Sequence, residues 1–587
     1  MKNEWNLELI YKNKEDYEND IKNVLNYVSE LESLKGKLNN KDSILKYCNY
    51  NTLFEQTLSK VFSYAHQKHD LNQKDIDSFK EFQRIYQLYL QSISKLSFIE
   101  PELLNNDLEF LLDICKNNKE VCQYKFIFEK IFKLQEHVRS VEIEGVMSAY
   151  NDATSGYTNL YDNLVVKDNK PKDIEINNEK ISVSMANYSL LLENTKSQDD
   201  RRKIAEAQYS FYQDHKNTFA GIYKGIMASL NAERINRGYK STLEFLLDRN
   251  NISTDVFLSL IDVAANNNDA IKKYYDLKKK YFKLDKLYTF DRFLQINKSN
   301  IDFSYEKMKE LVLDADKFFG DDFYNKAKLA LEDGRVSVEA KDGKTTGAYS
   351  TSVYDSGTFI LLNNNNSLDS AFTLAHEAGH SIHSIYSIEA QPFELSEYTI
   401  FVAEVASTFN EARFLDYLLS KTNNKEERIT LLQKAIDNII ATFYRQALFA
   451  NYEYLAFKKY EDGEVIDSEV LSNIMKDLYM KYYGLNLDDE EFTKLVWVYI
   501  PHLYHSPFYV YQYATSYAAS ALIYENVKNG DKEAFDKYIN LLKSGGSDYP
   551  INLLKKAGVD LTKKDAFLAV ARKLDMLVNK LEEELKL

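Results

Sequence analysis

Proline and glycine are scarce in this chain of 587 residues. It contains 6 Pro and 18 Gly, whereas ordinary usage of about 5% and 7% would give roughly 29 and 41. Turn-dense all-β proteins, collagen-like repeats and flexible linkers need these residues, so their scarcity excludes those architectures. Before residue 330, apolar residues recur at spacings of three and four between polar ones. This periodicity predicts a mainly α-helical protein built from packed amphipathic helices.

Cysteine, long apolar runs and an excess of positive charge are also lacking. Cys48, Cys115 and Cys122 form no C-x-x-C motif, so neither a disulfide framework nor a thiolate zinc site is predicted. Cys115 and Cys122, seven apart in a helical pattern, are predicted to be buried. A formal net charge of −15 disfavours nucleic acid as a partner. Because neither a signal-peptide pattern nor a membrane-spanning run is found, we expect a cytoplasmic protein that binds no membrane.

Glycine is concentrated in one short interval. Four glycines between residues 334 and 357 separate short runs rich in β-branched and aromatic residues. Such runs are typical of strands, and they predict a small twisted sheet within the helical protein. The predicted strand segments are 336–338, 348–353 and 358–362. A second region with many turn residues, 150–181, predicts a short hairpin or a domain boundary.

A helical segment at 368–387 contains an H-E-x-x-H motif that begins at His376. His376 and His380 lie one turn apart on one helix face, where both can reach a single ion. Glu377 then lies beside the metal and can accept a proton from water. Since this composition gives roughly 0.01 chance matches to the motif, we predict a metal site. His383 lies about 10.5 Å beyond His376 along the helix axis, so we assign it to packing or to the surroundings of the site.

The third ligand of a catalytic zinc is predicted on a second helical segment, because such sites usually have three protein ligands and one open position. Glu404 lies among apolar residues at 401–406, where an ionised carboxylate needs a cation or a salt bridge. Glu397 and Glu411 lie seven residues to either side on a similar face, in more polar surroundings, and are alternatives. A structural ion pair is the competing interpretation for all three.

The combined residues resemble the oligoendopeptidase F branch of the thimet-oligopeptidase (M3) family of zinc metallopeptidases. The motifs are HEAGHSIH and the Glu of FVAEVAS, which follows His380 by 24 residues, with WNLELIYKN, YAHQKHD, the segment 201–251, GAYS and PFYVYQYA. The resemblance implies that His376, His380 and Glu404 hold one Zn²⁺ per chain and that Glu377 is the catalytic base. It also implies a large multi-helical fold with a small β-sheet near the zinc helix and a deep central substrate channel.

Related peptidases place a histidine and two tyrosines from a region that corresponds to residues 500–517 against the substrate. A tyrosine hydroxyl can donate a hydrogen bond to the oxyanion of a tetrahedral intermediate. We assign this role to His502, Tyr509 and Tyr513. The alternatives that the spacing leaves open are His505, Tyr511 and Tyr517.

A substrate-binding strand is predicted at Gly347, Ala348 and Tyr349. Small residues at a strand edge let a peptide backbone approach and pair main chain to main chain, and the resemblance implies this role here. The competing interpretation is an internal hairpin strand in which the glycine only forms a turn.

The motifs and the family resemblance together predict a zinc endopeptidase that hydrolyses internal peptide bonds, and the resemblance implies that its substrates are short oligopeptides. In this mechanism the metal activates a water molecule and Glu377 is the general base. The alternatives are an inactive helical peptide-binding scaffold with a structural metal, and a dipeptidyl carboxypeptidase of the same family. The oligomeric state is left open. The predicted domains are an N-terminal helical region (1–115), a helical and hairpin connecting domain (116–198) and a catalytic zinc metallopeptidase domain (199–587).

Overall fold

The protein is described by a computed structural model that covers residues 3–297 and 303–586. Helices account for 71% of the chain and strands for 5%, in two small sheets. The predicted mainly α fold with a small β-sheet is therefore confirmed. Within the described ranges, no helix combines the length and the apolar character needed to cross a lipid bilayer.

The described residues form 25 α-helices and five β-strands. In chain order the helices are α1 (Lys14–Glu32), α2 (Lys41–Asp70), α3 (Ile76–Leu96), α4 (Ile99–Leu104), α5 (Leu108–Asn117), α6 (Tyr124–Lys133), α7 (Val141–Asp162), α8 (Tyr188–Asn194), α9 (Gln198–Arg237), α10 (Thr242–Asp248), α11 (Thr254–Asn266), α12 (Asp269–Tyr281), α13 (Tyr305–Asp316), α14 (Asp321–Ala330), α15 (Leu368–Ala390), α16 (Phe393–Ser396), α17 (Ile400–Lys421), α18 (Lys425–Ile439), α19 (Arg445–Glu461), α20 (Ser468–Tyr483), α21 (Pro501–His505), α22 (Tyr511–Lys528), α23 (Lys532–Lys543), α24 (Pro550–Lys556) and α25 (Asp565–Leu585). The strands are β1 (Lys172–Ile176), β2 (Glu179–Val183), β3 (Val336–Glu339), β4 (Tyr349–Val353) and β5 (Gly357–Asn364).

The chain forms two compact units, each assembled from separate stretches of sequence. The first unit comprises residues within 1–136, 301–418 and 526–558, and the second comprises the remainder. The predicted domains are consecutive segments of sequence and are not tested by this division into units. Their boundaries therefore stay a prediction.

In the first unit, α1 and α2 pack together over a core that includes Val24, Leu31 and Ile44. Helix α23 packs on α15. Near this contact Phe409 of α17 stacks on Tyr538 of α23, with ring centroids 4.1 Å apart. The last segment of the unit therefore supports the helices of the middle segment.

A three-stranded sheet in the first unit has the order β3–β5–β4. Strand β3 is parallel to β5, and β4 is antiparallel to β5. Residues 358–362 of the central strand are buried, and β5 packs against α15. Strand β4 is therefore an edge strand that lies next to the helix carrying the H-E-x-x-H motif.

In the second unit, the 40-residue helix α9 is the longest element, about 60 Å at 1.5 Å per residue. Arg201 near its start forms a fully buried ion pair with Asp291, with an N–O distance of 2.8 Å. The Arg201 guanidinium also donates to the carbonyls of Thr195 and Lys196. A buried charge pair is tolerated when its remaining polar atoms are hydrogen-bonded, and this one joins the α8–α9 connection to the segment after α12.

The turn-rich region 150–181 is only partly a hairpin. Strands β1 and β2 form the predicted hairpin, but residues as far as Asp162 continue helix α7 and a π-helical segment follows at Asn163–Asp168. The helix persists because α7 packs on α9 and Tyr161 is buried, with its ring 4.0 Å from that of Tyr504. Tertiary packing here overrides weak local helix propensity.

The prediction for the cysteines is half correct. Cys115 is buried in α5, whereas Cys122 is exposed. Helix α5 ends at Asn117 and α6 begins at Tyr124, so Cys122 lies in the connection and does not continue the buried face of α5.

Gly379 allows α15 and α17 to pack in close contact. A Cβ atom at this position would lie 2.7 Å from both the Ala406 carbonyl oxygen and Ser407 Cα, closer than real contacts permit. Beside this contact, Asn410 Nδ2 donates to the Ala375 carbonyl oxygen over 2.8 Å. The two helices can therefore approach at this point only because residue 379 has no side chain.

We predict that Gly379→Ala destabilises the protein by about 1–3 kcal/mol, because the added methyl group overpacks the contact between the two helices. Thermal unfolding in the presence of a chelator measures this effect without a contribution from bound metal. The matched control is Gly221→Ala in α9, where a Cβ atom meets nothing within 4 Å. The control should raise stability by about 0.5–1 kcal/mol, and a Gly379→Ala protein with the same gain would contradict the close contact.

Candidate metal centre

His376, His380 and Glu404 converge on one point between α15 and α17. Their ligand atoms all lie within 4.8 Å of one another. Glu404 Oε2 lies 3.3 Å from His376 Nε2 and 3.7 Å from His380 Nε2, and the two Nε2 atoms are 3.2 Å apart. Two imidazole nitrogens and one carboxylate oxygen are a donor set found in catalytic zinc sites. The residues therefore fit a divalent ion of this kind.

The protonation states of two of these residues suit metal binding. Burial alone would raise the pKa of Glu404, but the hydrogen bond and charge of His376 lower it to about 2. Burial and the charge of His376 lower the pKa of His380 to about 4. At neutral pH Glu404 is thus an anion and His380 a neutral imidazole, which are the forms that bind metals.

Glu411 fixes the orientation of the His376 ring. Its Oε1 accepts a hydrogen bond from His376 Nδ1 over 2.5 Å, which leaves Nε2 directed at Glu404. Burial lowers the pKa of His376. The hydrogen bonds to Glu404 and Glu411 raise it by more than burial lowers it, so the pKa lies well above its usual value. Carboxylates in this position set the tautomer and basicity of metal-binding histidines. Glu411, an alternative ligand by sequence, contacts the opposite ring nitrogen.

Glu377 lies on α15 between the two histidines and is 6% exposed. Burial raises the pKa of its carboxyl group to about 7, and a hydrogen bond from the Ser350 backbone amide opposes this effect. Ser350 belongs to β4, and its hydroxyl lies 2.8 Å from the Ser381 hydroxyl on α15. The edge strand β4 and the motif helix α15 therefore meet at Glu377.

Tyr398 was not identified from the sequence, although it contacts the motif helix closely. Its ring stacks on His383 at a centroid distance of 3.5 Å, and its hydroxyl donates to the His380 carbonyl oxygen over 3.3 Å. His383 is fully buried, and its ring nitrogens have no hydrogen-bond partner among the described residues. His383 thus packs against Tyr398, beside the three converging ligands.

The predicted substrate strand lies at the start of β4. Gly347 adopts a φ of +84°, which favours glycine, and its carbonyl oxygen accepts from Asn363 Nδ2 over 2.8 Å. Ala348 follows, and the Tyr349 hydroxyl donates to Asp70 over 2.5 Å. The Tyr349 side chain is thus bound to α2. This segment can therefore interact with a peptide mainly through its main-chain N–H and C=O groups.

His502, Tyr509 and Tyr513 form one aromatic cluster in the second unit. The ring centroid of His502 lies 5.9 Å from the ring centroid of each tyrosine, and the two tyrosine ring centroids are 5.6 Å apart. Burial lowers the pKa of His502. The structure thus brings together the three residues that the sequence analysis selected.

The three alternative residues of this region have other neighbours. His505 Nε2 donates to Asp162 over 2.9 Å. Tyr511 is buried with its ring 5.4 Å from Phe257, and Tyr517 is buried beneath Lys573, whose Nζ lies 5.5 Å from its ring centroid. They do not join the His502 cluster through these contacts.

Glu453 supports the turn that precedes Tyr509 and was also missed from the sequence. It is 1% exposed, and burial raises its pKa to about 8. Its Oε1 accepts a hydrogen bond from the Phe508 backbone amide over 2.7 Å, and Phe508 has a φ of +56°. Because a non-glycine residue rarely adopts this conformation, the buried carboxyl group helps to hold the turn.

Comparisons with known proteins agree over nearly the whole chain. Oligopeptidase PepF of Bacillus subtilis is 31% identical over 586 residues, which cover 99% of this chain and 87% of that protein. Group B oligopeptidase PepB of Streptococcus agalactiae is also 31% identical, over 99% of this chain and 97% of its own length.

Solved structures show the same similarity. The crystal structure of oligoendopeptidase-F from Enterococcus faecium has a TM-score of 0.75 at 26% identity, covering 97% of this chain and 99% of that one. Residues 102–170 match the family described as Oligopeptidase F, and residues 191–572 match Peptidase family M3. The chain therefore belongs to peptidase family M3, in its oligoendopeptidase F branch.

Proposed function

We propose that this protein is a zinc endopeptidase that hydrolyses internal peptide bonds of short oligopeptides. The observation that carries the proposal is the convergence of His376, His380 and Glu404 beside a buried carboxyl group, Glu377. Relatives over 99% of the chain are named oligopeptidases, which supports the substrate class. One zinc ion per chain would be held by the three converging residues.

The bound zinc would supply Lewis acidity, which polarises the scissile carbonyl and lowers the pKa of the attacking water. Glu377 accepts a proton from that water and returns it to the leaving amine. Its burial and its hydrogen bond from Ser350 keep the carboxyl group in one place on α15. Glu411 holds the His376 ring so that Nε2 stays directed at the centre.

Substrate binding is assigned to the free edge of β4. A peptide that pairs with Gly347, Ala348 and Tyr349 through its main chain is held without a strong requirement for particular side chains. The restriction to short peptides follows from the deep substrate channel that the family resemblance implies. A cytoplasmic location belongs to the same proposal.

Stabilisation of the oxyanion is assigned to His502, Tyr509 and Tyr513. Their rings form one cluster, so several hydrogen-bond donors lie close together. The alternatives His505, Tyr511 and Tyr517 have other contacts, as described above, which favours the first set.

Two other functions compete with this proposal. An inactive peptide-binding scaffold would not need a buried acid beside three convergent ligands, and all four residues are present. A dipeptidyl carboxypeptidase recognises the free carboxyl group at the end of its substrate, whereas an endopeptidase does not. A peptide with an amidated C terminus therefore distinguishes the two activities.

We predict that Glu377→Gln lowers the hydrolysis rate of a quenched, C-terminally amidated peptide by about 10²–10⁴-fold, because the amide cannot accept the proton. The metal content should stay at one ion per chain, as measured by elemental analysis. Glu389→Gln is the control on the same helix, since Glu389 is exposed and paired with Lys326, and it should retain full activity. Full activity of the Glu377→Gln protein would refute the mechanism.

Glu411→Ala should lower the affinity for zinc by about 10–100-fold, because His376 loses the carboxylate that orients it. Competition with a chromophoric chelator measures this affinity without any peptide. Asp416→Asn, one and a half turns further along α17, removes a surface pair with Lys528 and should leave the affinity unchanged. Equal affinities of the Glu411→Ala and wild-type proteins would show that Glu411 does not act on the metal centre.

Tyr509→Phe and Tyr513→Phe should each lower kcat by about 10²–10³-fold with little change in KM, the effect of removing one oxyanion donor. Tyr511→Phe is the matched control, because Tyr511 is a buried neighbour in the same segment, and its kcat should be that of the wild type. A loss in the control equal to the loss in the two variants would indicate a structural effect of removing hydroxyl groups.

A further inference from the structure

A polar cavity of about 250 Å³ lies beside strand β4 in the first unit. It is bounded by Ser59 of α2, by β4 and the turn after it, by the last turns of α15, and by the segment 393–398. Its volume suits a single extended side chain. The residues that matter for its chemistry are Ser350, Ser352, Tyr354, Ser384, Glu397 and Tyr398.

The cavity adjoins the candidate metal centre through two of its own residues. Ser350 donates its backbone amide to Glu377, and the Tyr398 hydroxyl donates to the His380 carbonyl oxygen. A peptide that pairs with the edge of β4 and places a bond at the metal centre therefore passes this cavity. A side chain close to the scissile bond can enter it.

The described lining contains one charged residue, Glu397. The other polar residues are serines, a threonine and tyrosines, and Ile388 with Phe393 supplies an apolar wall. The Glu397 main chain is held in place, because Gly546 packs so closely that a Cβ atom there would lie 2.3 Å from the Glu397 carbonyl oxygen. The carboxylate is thus attached to a fixed backbone at the rim of a hydroxyl-lined space.

Further negative charge surrounds this rim. Burial raises the pKa of Glu55, a hydrogen bond from Asn51 opposes this effect, and the charges of Glu394 and Glu397 add to the rise. Burial also raises the pKa of Tyr354, and the charges of Asp355 and Glu394 raise it further. Like charges at these positions raise the energy of the region, and a cation placed among them lowers it.

We propose that this cavity is a substrate subsite for a basic side chain, lysine or arginine, near the scissile bond, and that Glu397 determines this specificity. The methylene stem would lie along Ile388 and Phe393, as such stems do on apolar surfaces, while the charged head reaches Glu397 and the hydroxyls. The tyrosine rings add faces that attract cations. The proposal rests on the proposed peptidase function, because that function places a peptide on β4.

The test compares peptides that carry arginine or citrulline at each position around the cleaved bond, since citrulline has the same shape without the charge. For the wild-type protein we expect kcat/KM to be about tenfold higher with arginine at one fixed position. Glu397→Gln should reduce this ratio to near one. Glu30→Gln, an exposed glutamate on α1, is the control and should keep the wild-type ratio.

A binding measurement separates this proposal from the peptidase function. Fluorescence anisotropy with labelled peptides is carried out on the Glu377→Gln protein and on the Glu377→Gln/Glu397→Gln protein. The first should bind the arginine peptide about tenfold more tightly than the citrulline peptide, and the second should bind both alike. Equal affinities in the first protein, or a preference that survives in the second, would overturn the subsite even if hydrolysis is observed. Absence of hydrolysis by the wild type, with the charge preference intact in binding, would instead contradict the peptidase function.

Discussion

The close packing of α15 against α17 is the interaction on which the candidate metal centre depends. Two histidines one turn apart on α15 present a pair of nitrogens, but they need a carboxylate from another element to complete a three-ligand site. Gly379 lets α17 come near enough to supply Glu404 from within the crossing. The same helix supplies Glu411 to the far side of His376, so one helix contributes both a candidate ligand and the carboxylate that orients another candidate ligand.

The sheet adds a contact to Glu377, the proposed general base, on this helix pair. Strand β4 has one edge paired with β5, and it reaches Glu377 through the amide of Ser350. The strand assigned to hold the peptide is therefore in direct contact with the residue assigned to move the proton. In the proposed mechanism, a single short strand then aligns the substrate relative to Glu377. Few structural elements therefore need to be positioned for the reaction.

Sequence reasoning predicted the parts of the site that depend on local spacing. Helical periodicity places His376 and His380 on one face, and an acidic residue in an apolar run singles out Glu404, so these assignments needed no tertiary information. The mainly α fold and the small sheet were predicted for the same reason, from apolar periodicity and from clustered glycines. Tyr398 and Glu453 were missed because their importance comes from contacts with residues distant in sequence. The helix that continues to Asp162 was missed because packing on α9 stabilises a segment whose composition favours turns.

The first unit is built from three stretches of chain, and the last of them, 526–558, carries the helix that packs on α15. During translation the two helices of the metal centre leave the ribosome well before α23 exists. Contacts between segments so far apart in sequence form late, because the chain must close a long loop to make them. A nascent polypeptide released before this stretch has been synthesised would leave one side of α15 bare, so the helix that carries the candidate metal centre is expected to reach its final packing only after synthesis is complete.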